Sequence, residues 1–507
     1  MLRRASRELA IFLLYLLLAA GLTWPLAIRL STCVSDLGDP LLNAWILDWT
    51  SHALIHQPLH LFDAPMFYPS VMPLAYSEHL VGIAILTMPF HLAGVPPIAL
   101  HNIAMLIGFA LSGYGAFVLA RMFVRPYTAA FVSGIVYAFC SFKFDHLAHL
   151  QIVCSGWVPL TFAALIAYLR KPTWKRAAAL TAALAMNGLT NIYYLLFTAA
   201  ALGGSIVLLL FIGKKQSMRV WLGLAGALVA AALILLPFLL PYRTVSDLYN
   251  MKRPENEVRA GSGEWHDWLR ANPRSLWYGS LVPDDQHRAE REVFPGLAAL
   301  FFFAAAIVMT PRRETRPSDT AGANVSPRVL RALDVAIVIC AMAAVLGAMA
   351  MPRFRLAPFG RVLVSIRGTD VPMIAMLLLV LARLSIRLPL AFGGGVAGED
   401  GGRTIRDSVR DSRFDAGAWA ALGWIIFGVL GTLGLNAFFH SFLYERIEAY
   451  QSIRAPGRWA VIAFVGLAVW VALGAEALLA RRSGMRRTAL ACVLVAVAVI
   501  DVLPTIQ

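Results

Sequence analysis

Charged side chains are scarce in this chain: Asp, Glu, Lys and Arg together make up 14% of its 507 residues, against 59% hydrophobic ones. With a mean hydropathy of +0.68, that scarcity excludes a soluble globular protein and leaves a polytopic, all-α membrane protein. Cysteine is scarce as well. The five, at positions 33, 140, 154, 340 and 492, include no Cys-x-x-Cys pair and no His-rich metal spacing, which excludes a zinc module and a disulfide framework. Cys140 and Cys154 are the one pair near enough in sequence for a bridge, and proximity alone favours it. No internal repeat of fixed period is visible.

The most informative absence is local. Residues 31–77 hold four Asp and not one Lys or Arg. They follow the apolar run Leu9 to Leu30, which is too long for the h-region of a cleaved signal peptide and reads as a retained first span. Leu30-Ser31-Thr32-Cys33 is a poor lipoprotein box, with Thr before the Cys. Elsewhere most Lys and Arg lie in short clusters between apolar runs. The formal net charge of +15 therefore follows from the positive-inside rule and calls for no nucleic-acid partner.

Alternating sides by these clusters puts the N-terminus in the cytoplasm and the loop 31–97 outside. Within that loop Leu41, Leu42, Trp45, Ile46, Trp49 and Ala53 recur at helical spacing, predicting a juxtamembrane amphipathic helix on the membrane surface. Glu78 to Gly94 is short, and a crossing there would invert every later cluster, so it reads as re-entrant or interfacial. Further spans fall near 98–120, 127–142, 157–169, 177–190, 192–213, 220–241, 294–310, 333–351, 371–390, 417–438, 459–480 and 488–503. With the first they make about thirteen, in a single domain covering 1–507 whose C-terminus emerges outside. The second large outer loop is expected at 242–293. Residues 311–331 and 391–416, rich in Gly, Ser, Asp and Arg, are expected to be flexible inner linkers.

Ionisable groups inside spans, the mark of coupled transport, are nearly missing: Glu476, Asp334 and Asp501 all fall near span ends. Polar groups gather instead in the outer loops. Asp39 leads as a catalytic candidate, because a carboxylate at the membrane surface can take a proton from an acceptor hydroxyl. It equally fits an ordinary helix N-cap, with Pro40 at the first helical position. Asp36 is either an assisting acid or solvated, and Asp48 falls on the wet face of the helix. Glu78 and His79 open the re-entrant run, either facing the same surface or serving the helix dipole.

His146 and His149, three apart, share one side of a helical turn. With no third ligand at recognisable spacing, a bond to phosphate or sugar, or interfacial packing, suits them better than a metal. The outer loops 352–370 and 439–458 carry Arg353, Arg355, Arg361, Arg367, Arg446, Arg454 and Arg458, cations on the wrong side for the topology. Bidentate recognition of a lipid-linked phosphate explains them, and so does snorkelling to headgroups. Arg454 and Arg458 are the pair best placed for phosphate, since their segment opens directly into a span. Tyr193 is a sugar contact or a member of the interfacial aromatic belt.

Four stretches, SDLGDPLLNAW from Ser35, YPSVMPLAYSEHL from Tyr68, HLAHLQ from His146 and SIRAPGR from Ser452, together resemble bacterial membrane glycosyltransferases of the GT-C superfamily, along the whole chain. The resemblance implies a GT-C-like fold in the bacterial inner (cytoplasmic) membrane. It implies a polyprenyl-phosphate-linked sugar as donor, a glycan, lipid or protein as acceptor, and membrane lipids as surroundings. An essential Asp in the first outer loop beside a juxtamembrane helix corresponds here to Asp39, with Asp36 or Glu78 as the second acid. Where aminoarabinose and protein-mannosyl transferases have neighbouring Asp and Glu, this chain has Gly38-Asp39-Pro40. Some members bridge the acid and the leaving phosphate with a divalent cation, Mg or Mn, for which no ligands are assigned here.

The reaction expected is an inverting hexosyl or pentosyl transfer. Asp39 takes the acceptor proton, the acceptor oxygen attacks the sugar C1, and polyprenyl phosphate leaves, held by Arg454 and Arg458. His79, His146, His149, Tyr193 and Arg367 complete the expected substrate-binding set. The rival expectation is a non-catalytic lipid or polysaccharide translocation or assembly protein, in which Asp39 is only a cap.

Overall fold

The computed structural model describes residues 2–212, 216–279, 288–309, 327–348, 354–356, 364–366, 370–387 and 405–505. Nearly all of this is helix, as expected where apolar segments must satisfy their own backbone groups away from water. Among the described residues the sheet content is one three-rung antiparallel ladder, β1 (Phe354–Leu356) on β2 (Val364–Ile366). Six helical stretches are long and apolar enough to cross a membrane: Ala5–Leu22, Pro97–Ala120, Tyr127–Asp145, Leu150–Arg170, Met218–Tyr249 and Pro456–Ala480. That set fits a helical multi-pass membrane protein. Shorter apolar helices, Val81–Leu92 and Ile192–Leu208 among them, join these six.

The chain begins with α1 (Leu2–Leu22), which ends earlier than the apolar run suggests. Pro25 has no N–H to give and clashes with a continuing helix, so the chain turns there before a single 3-10 turn at Leu26–Ile28. Next come α2 (Asp39–His56), α3 (Val81–Leu92), α4 (Pro97–Ala120) and α5 (Tyr127–Ala138). Two short helices, α6 (Ser141–Asp145) and α7 (Leu150–Val153), lead to α8 (Trp157–Arg170), α9 (Trp174–Thr190) and α10 (Ile192–Ile212). The expected break at Asn191 is present, and it has a capping bond: Asn191 Oδ1 accepts the Tyr194 N–H at 3.0 Å.

Then follow α11 (Met218–Tyr249), α12 (Glu255–Ala260), α13 (Leu297–Met309), α14 (Pro327–Ala348), α15 (Asp370–Arg387), α16 (Ile405–Thr432), α17 (Phe438–Arg446), α18 (Ala460–Ala480) and α19 (Gly484–Asp501). Three expected boundaries move. Helix α11 runs through Pro237 and Pro241 to Tyr249, so the second loop starts later than 242. Helices α14 and α16 take in 327–331 and 405–416, shortening both expected linkers. Cys140 and Cys154 are buried free thiols, so no bridge joins them.

The core is built on α18, in which every residue from Ala460 to Ala475 is buried. Helices α16, α13, α5 and α4 surround it. Small residues allow this close approach: a Cβ on Gly474 would run into the Phe302 carbonyl of α13, and one on Gly428 of α16 into the Ala463 backbone. By contrast α11 is peripheral and leaves Leu222, Val229, Leu233 and Leu240 exposed, as a lipid-facing helix does.

The expected apolar face of α2 is split: Ile46 and Ala53 are buried in the protein, Trp45 and Trp49 are half-buried, and the two leucines at its start stay exposed. Leu41 and Leu42 are each 38% exposed, whereas Asn43, Ala44, Leu47, Thr50 and Ser51 are buried against the protein. Beside a membrane the apolar side of a helix has lipid available to it, and small polar groups find partners in the bundle: Asn43 donates to the Ala148 carbonyl at 3.2 Å and Thr50 to the His79 carbonyl at 2.9 Å. Helix α3 packs beside α2, with His91 Nδ1 3.1 Å from Asp48 Oδ1. The chain enters and leaves α3 at the same end of the bundle. Glu78 before it meets the start of α10, and Asn102 after it donates to the Leu30 and Cys33 carbonyls that follow α1.

Candidate functional site

Three helix N-termini, those of α2, α10 and α18, meet at this end, each with a carboxylate nearby. The first is Asp39. Helix α2 is preceded by Gly38, whose N–H goes to Asp36 Oδ1 at 2.8 Å in an Asx turn, and no side chain caps the helix. The N-cap role expected of Asp39 therefore does not hold, and Pro40 takes the second helical position instead of the first. Asp39 is the first helical residue, with its side chain 55% exposed and its Oδ2 3.1 Å from His149 Nε2. Asp36 closes its own turn, away from this contact.

His149 is held in the α6–α7 connection. Burial, with Arg458 and His146 close by, pushes its imidazole from the ordinary 6.5 down to about 4. A neutral ring donates its Nε2–H to Asp39, while the buried Nδ1 has no partner among the described residues. The connection itself is tied by Lys143, read from sequence as part of a polar turn but fully buried here. Its Nζ donates to the Ile152 carbonyl, to the Val153 carbonyl at 3.3 Å and to Ser155 Oγ at 2.6 Å.

His146, one turn away, stands 2.8 Å from the Phe142 carbonyl through Nδ1 and 3.2 Å from Glu290 Oε2 through Nε2. Both partners are acceptors, so the ring bridges the α6 backbone and the second loop. Glu290 also takes Arg458, whose Nε lies 3.0 Å from both carboxylate oxygens and whose Nη2 adds a further bond. Burial works to raise the Glu290 carboxyl, but Arg458 and His146 outweigh it and hold the group well below the usual carboxylate range. Arg458 precedes α18, where a cation opposes the helix dipole, and Glu290 compensates for that placement.

Over Arg458 lies the ring of Tyr193, 5.2 Å from the guanidinium carbon. Next to this pair is Glu78, whose Oε2 accepts the Ile192 N–H at 3.2 Å and so serves the N-terminus of α10. Burial pushes the Glu78 carboxyl from 4.5 up to about 7, against the opposing pull of that N–H and of Arg458. No family model, curated protein or solved structure matches the chain. What this cluster does must therefore be argued from its own geometry.

Of the residues singled out from sequence, Asp39, His149, His146, Arg458, Tyr193 and Glu78 come together. His79 does not join them. Its Nδ1 accepts the Val81 N–H at 3.1 Å, and its ring is packed among Phe62, Phe238 and Tyr242, where burial lowers it to about 4. Arg454 is exposed and takes no part in the Glu290 pair, so it does not act with Arg458 as a fork. Arg367 lies outside the described residues.

Glu290 was the residue missed. It belongs to the second loop and is presented rigidly, because its neighbour Arg291 binds the buried Asp267 at 2.7 and 3.2 Å and Glu264 at 3.3 Å. Glu264 and Asp267 also form a capping box, which closes the loop locally. As for a divalent cation, the donor set does not fit one. Among the described residues Glu290 is held between His146 and Arg458, Asp39 pairs with His149, and no three His, Cys, Asp or Glu converge as ligands.

Proposed function

We propose that the chain is a glycosyltransferase of the GT-C type, with about thirteen membrane crossings, that moves a sugar from a polyprenyl-phosphate donor to an acceptor at the outer face of a bacterial inner membrane. In this reading the N-terminus is cytoplasmic and the C-terminus periplasmic. The observation that carries it is the Asp39–His149 contact. An exposed carboxylate, released from capping and oriented by a neutral imidazole, suits removal of a proton from an acceptor hydroxyl. The acceptor oxygen then attacks C1 of the sugar with inversion, and the bond from C1 to the phosphate oxygen breaks.

The departing phosphate is met by the positive ends of α2, α10 and α18, by His146 and by the Arg458 cation. Glu78, which holds a proton near neutral pH, gives a second hydrogen-bond donor at this place. The test is transfer from defined polyprenyl-phosphate sugars in proteoliposomes. Asp39→Asn is expected to lower the rate by roughly a hundredfold or more with insertion unchanged, and unimpaired transfer contradicts the general-base role.

One observation favours the non-catalytic alternative, a translocation or assembly protein. Arg458 is already neutralised by Glu290, as in a purely structural ion pair. No transfer from any donor by a well-folded wild type would support that reading.

A further inference from the structure

The opposite end of the bundle, away from the carboxylates, holds a cavity of about 780 Å³ between α1, the last turns of α4 and the first turn of α5. Two guanidiniums line it, and both stack on one ring: the Arg7 and Arg121 carbons lie 5.1 and 4.2 Å from the centroid of Tyr127. Arg121 is fixed in place by bonds to the Val124 and Arg125 carbonyls. The same cavity contains one carboxylate, Glu8. It accepts the Tyr114 hydroxyl at 3.3 Å and makes no ion pair among the described residues. Phe117, Val118 and Met122 form an apolar wall.

We propose that this cavity binds the headgroup of a zwitterionic aminophospholipid, a phosphoethanolamine, taken from the leaflet at that end. The phosphate suits the two guanidiniums: Arg7 bonds the Tyr127 hydroxyl and Arg121 uses Nη1 for the two carbonyls, which leaves further N–H groups on each. The primary ammonium suits Glu8, and the faces of Tyr114 and Phe117 add attraction for a cation. The acyl chains follow the apolar wall. These residues lie towards the ends of the apolar stretches Ala5–Leu22, Pro97–Ala120 and Tyr127–Asp145, where a crossing helix meets the headgroups. A glycerol headgroup gives Glu8 no cation to pair with, and a choline headgroup has no N–H to donate to it. The volume lies within the range of sites that enclose a molecule of this size.

Native mass spectrometry of the full chain, released from micelles doped with phosphatidylethanolamine, phosphatidylglycerol or phosphatidylcholine, tests this. The wild type is expected to retain one phosphatidylethanolamine with roughly tenfold preference over either of the others. Glu8→Gln is expected to erase that preference while phosphatidylglycerol binding persists, and Arg7→Gln to weaken both lipids. Arg7 is exposed and Glu8 half-buried, and an unchanged melting temperature confirms that each variant folds. Equal retention of the three lipids by the wild type, or a preference that survives Glu8→Gln, overturns the proposal.

Discussion

At the end where α1 begins, Arg121, Arg170 and Arg176 donate to backbone carbonyls: Val124 at 2.8 Å, Met122 at 2.6 Å and Ala167 at 2.6 Å. At the end where α1 finishes, Arg458 and Arg291 meet carboxylates: Asp267 closes the second loop on itself, and Glu290 holds that loop against the bundle. The difference follows from helix polarity. At the first end the cations meet carbonyls in the turn after α4 and in the last turn of α8, at the negative pole of the dipole, so they need no acidic partner. At the second, a cation such as Arg458 sits before a helix N-terminus, where the dipole repels it, and a carboxylate must be supplied from elsewhere in the chain. One end uses charge to finish helices, and the other brings titratable groups from distant segments into one place.

The sharpest way to break this comparison is to remove the supplied carboxylate. Glu290→Gln leaves Arg458, 5% exposed, without its counter-ion, and a loss of about 3–5 kcal/mol is expected in thermal or denaturant unfolding in micelles. Adding Arg458→Met should recover part of that loss, because a pair of neutral side chains avoids the buried charge.

Acid should affect the two ends differently. His149, His79 and His440 titrate at about 4 in the folded chain against 6.5 when free. The unfolded chain therefore binds more protons as pH falls from 6.5 towards 4, and folded stability falls with it, by up to about 1.4 kcal/mol per pH unit for each ring. Glu78 works the other way. Its folded value of about 7 lies above 4.5, so its contribution is present at low pH and lost as pH rises through that window. Between 4.5 and 6.5 these three rings contribute a rise in stability with pH, and Glu78 opposes it. Glu78→Gln should steepen that rise, which unfolding curves over this range will measure.

The smallest effect belongs to the cationic end. Arg176→Ala removes one bond to the Ala167 carbonyl near the end of α8 and is expected to lower stability by about 1 kcal/mol, with little pH dependence. A strong pH dependence there would show that the two ends do not differ as argued.

Much of the frame was readable in the sequence, because apolar runs, Pro and Asn191 mark where helices start and stop. The acid-only loop pointed to Asp39, and the three-residue spacing of His146 and His149 put them together. The buried side of α2 was readable only in part, since it combines the polar Asn43, Thr50 and Ser51, which find partners in the bundle, with the apolar Ile46, Leu47 and Ala53. Glu290 was hidden for another reason. Its partners His146 and Arg458 lie 144 and 168 residues away, so no local pattern marks it. The Asp39 cap was misread because Asp36 closes the preceding turn, which spacing alone does not reveal.

The central claim is that Asp39 serves chemistry while Glu290 serves architecture. The most direct measurement pairs transfer rate with unfolding midpoint for Asp39→Asn and Glu290→Gln in the same membrane mimic. The account predicts that Asp39→Asn lowers transfer by roughly a hundredfold or more with an unchanged midpoint and that Glu290→Gln lowers the midpoint. An Asp39→Asn protein that keeps full transfer, or that loses as much stability as Glu290→Gln, would contradict it.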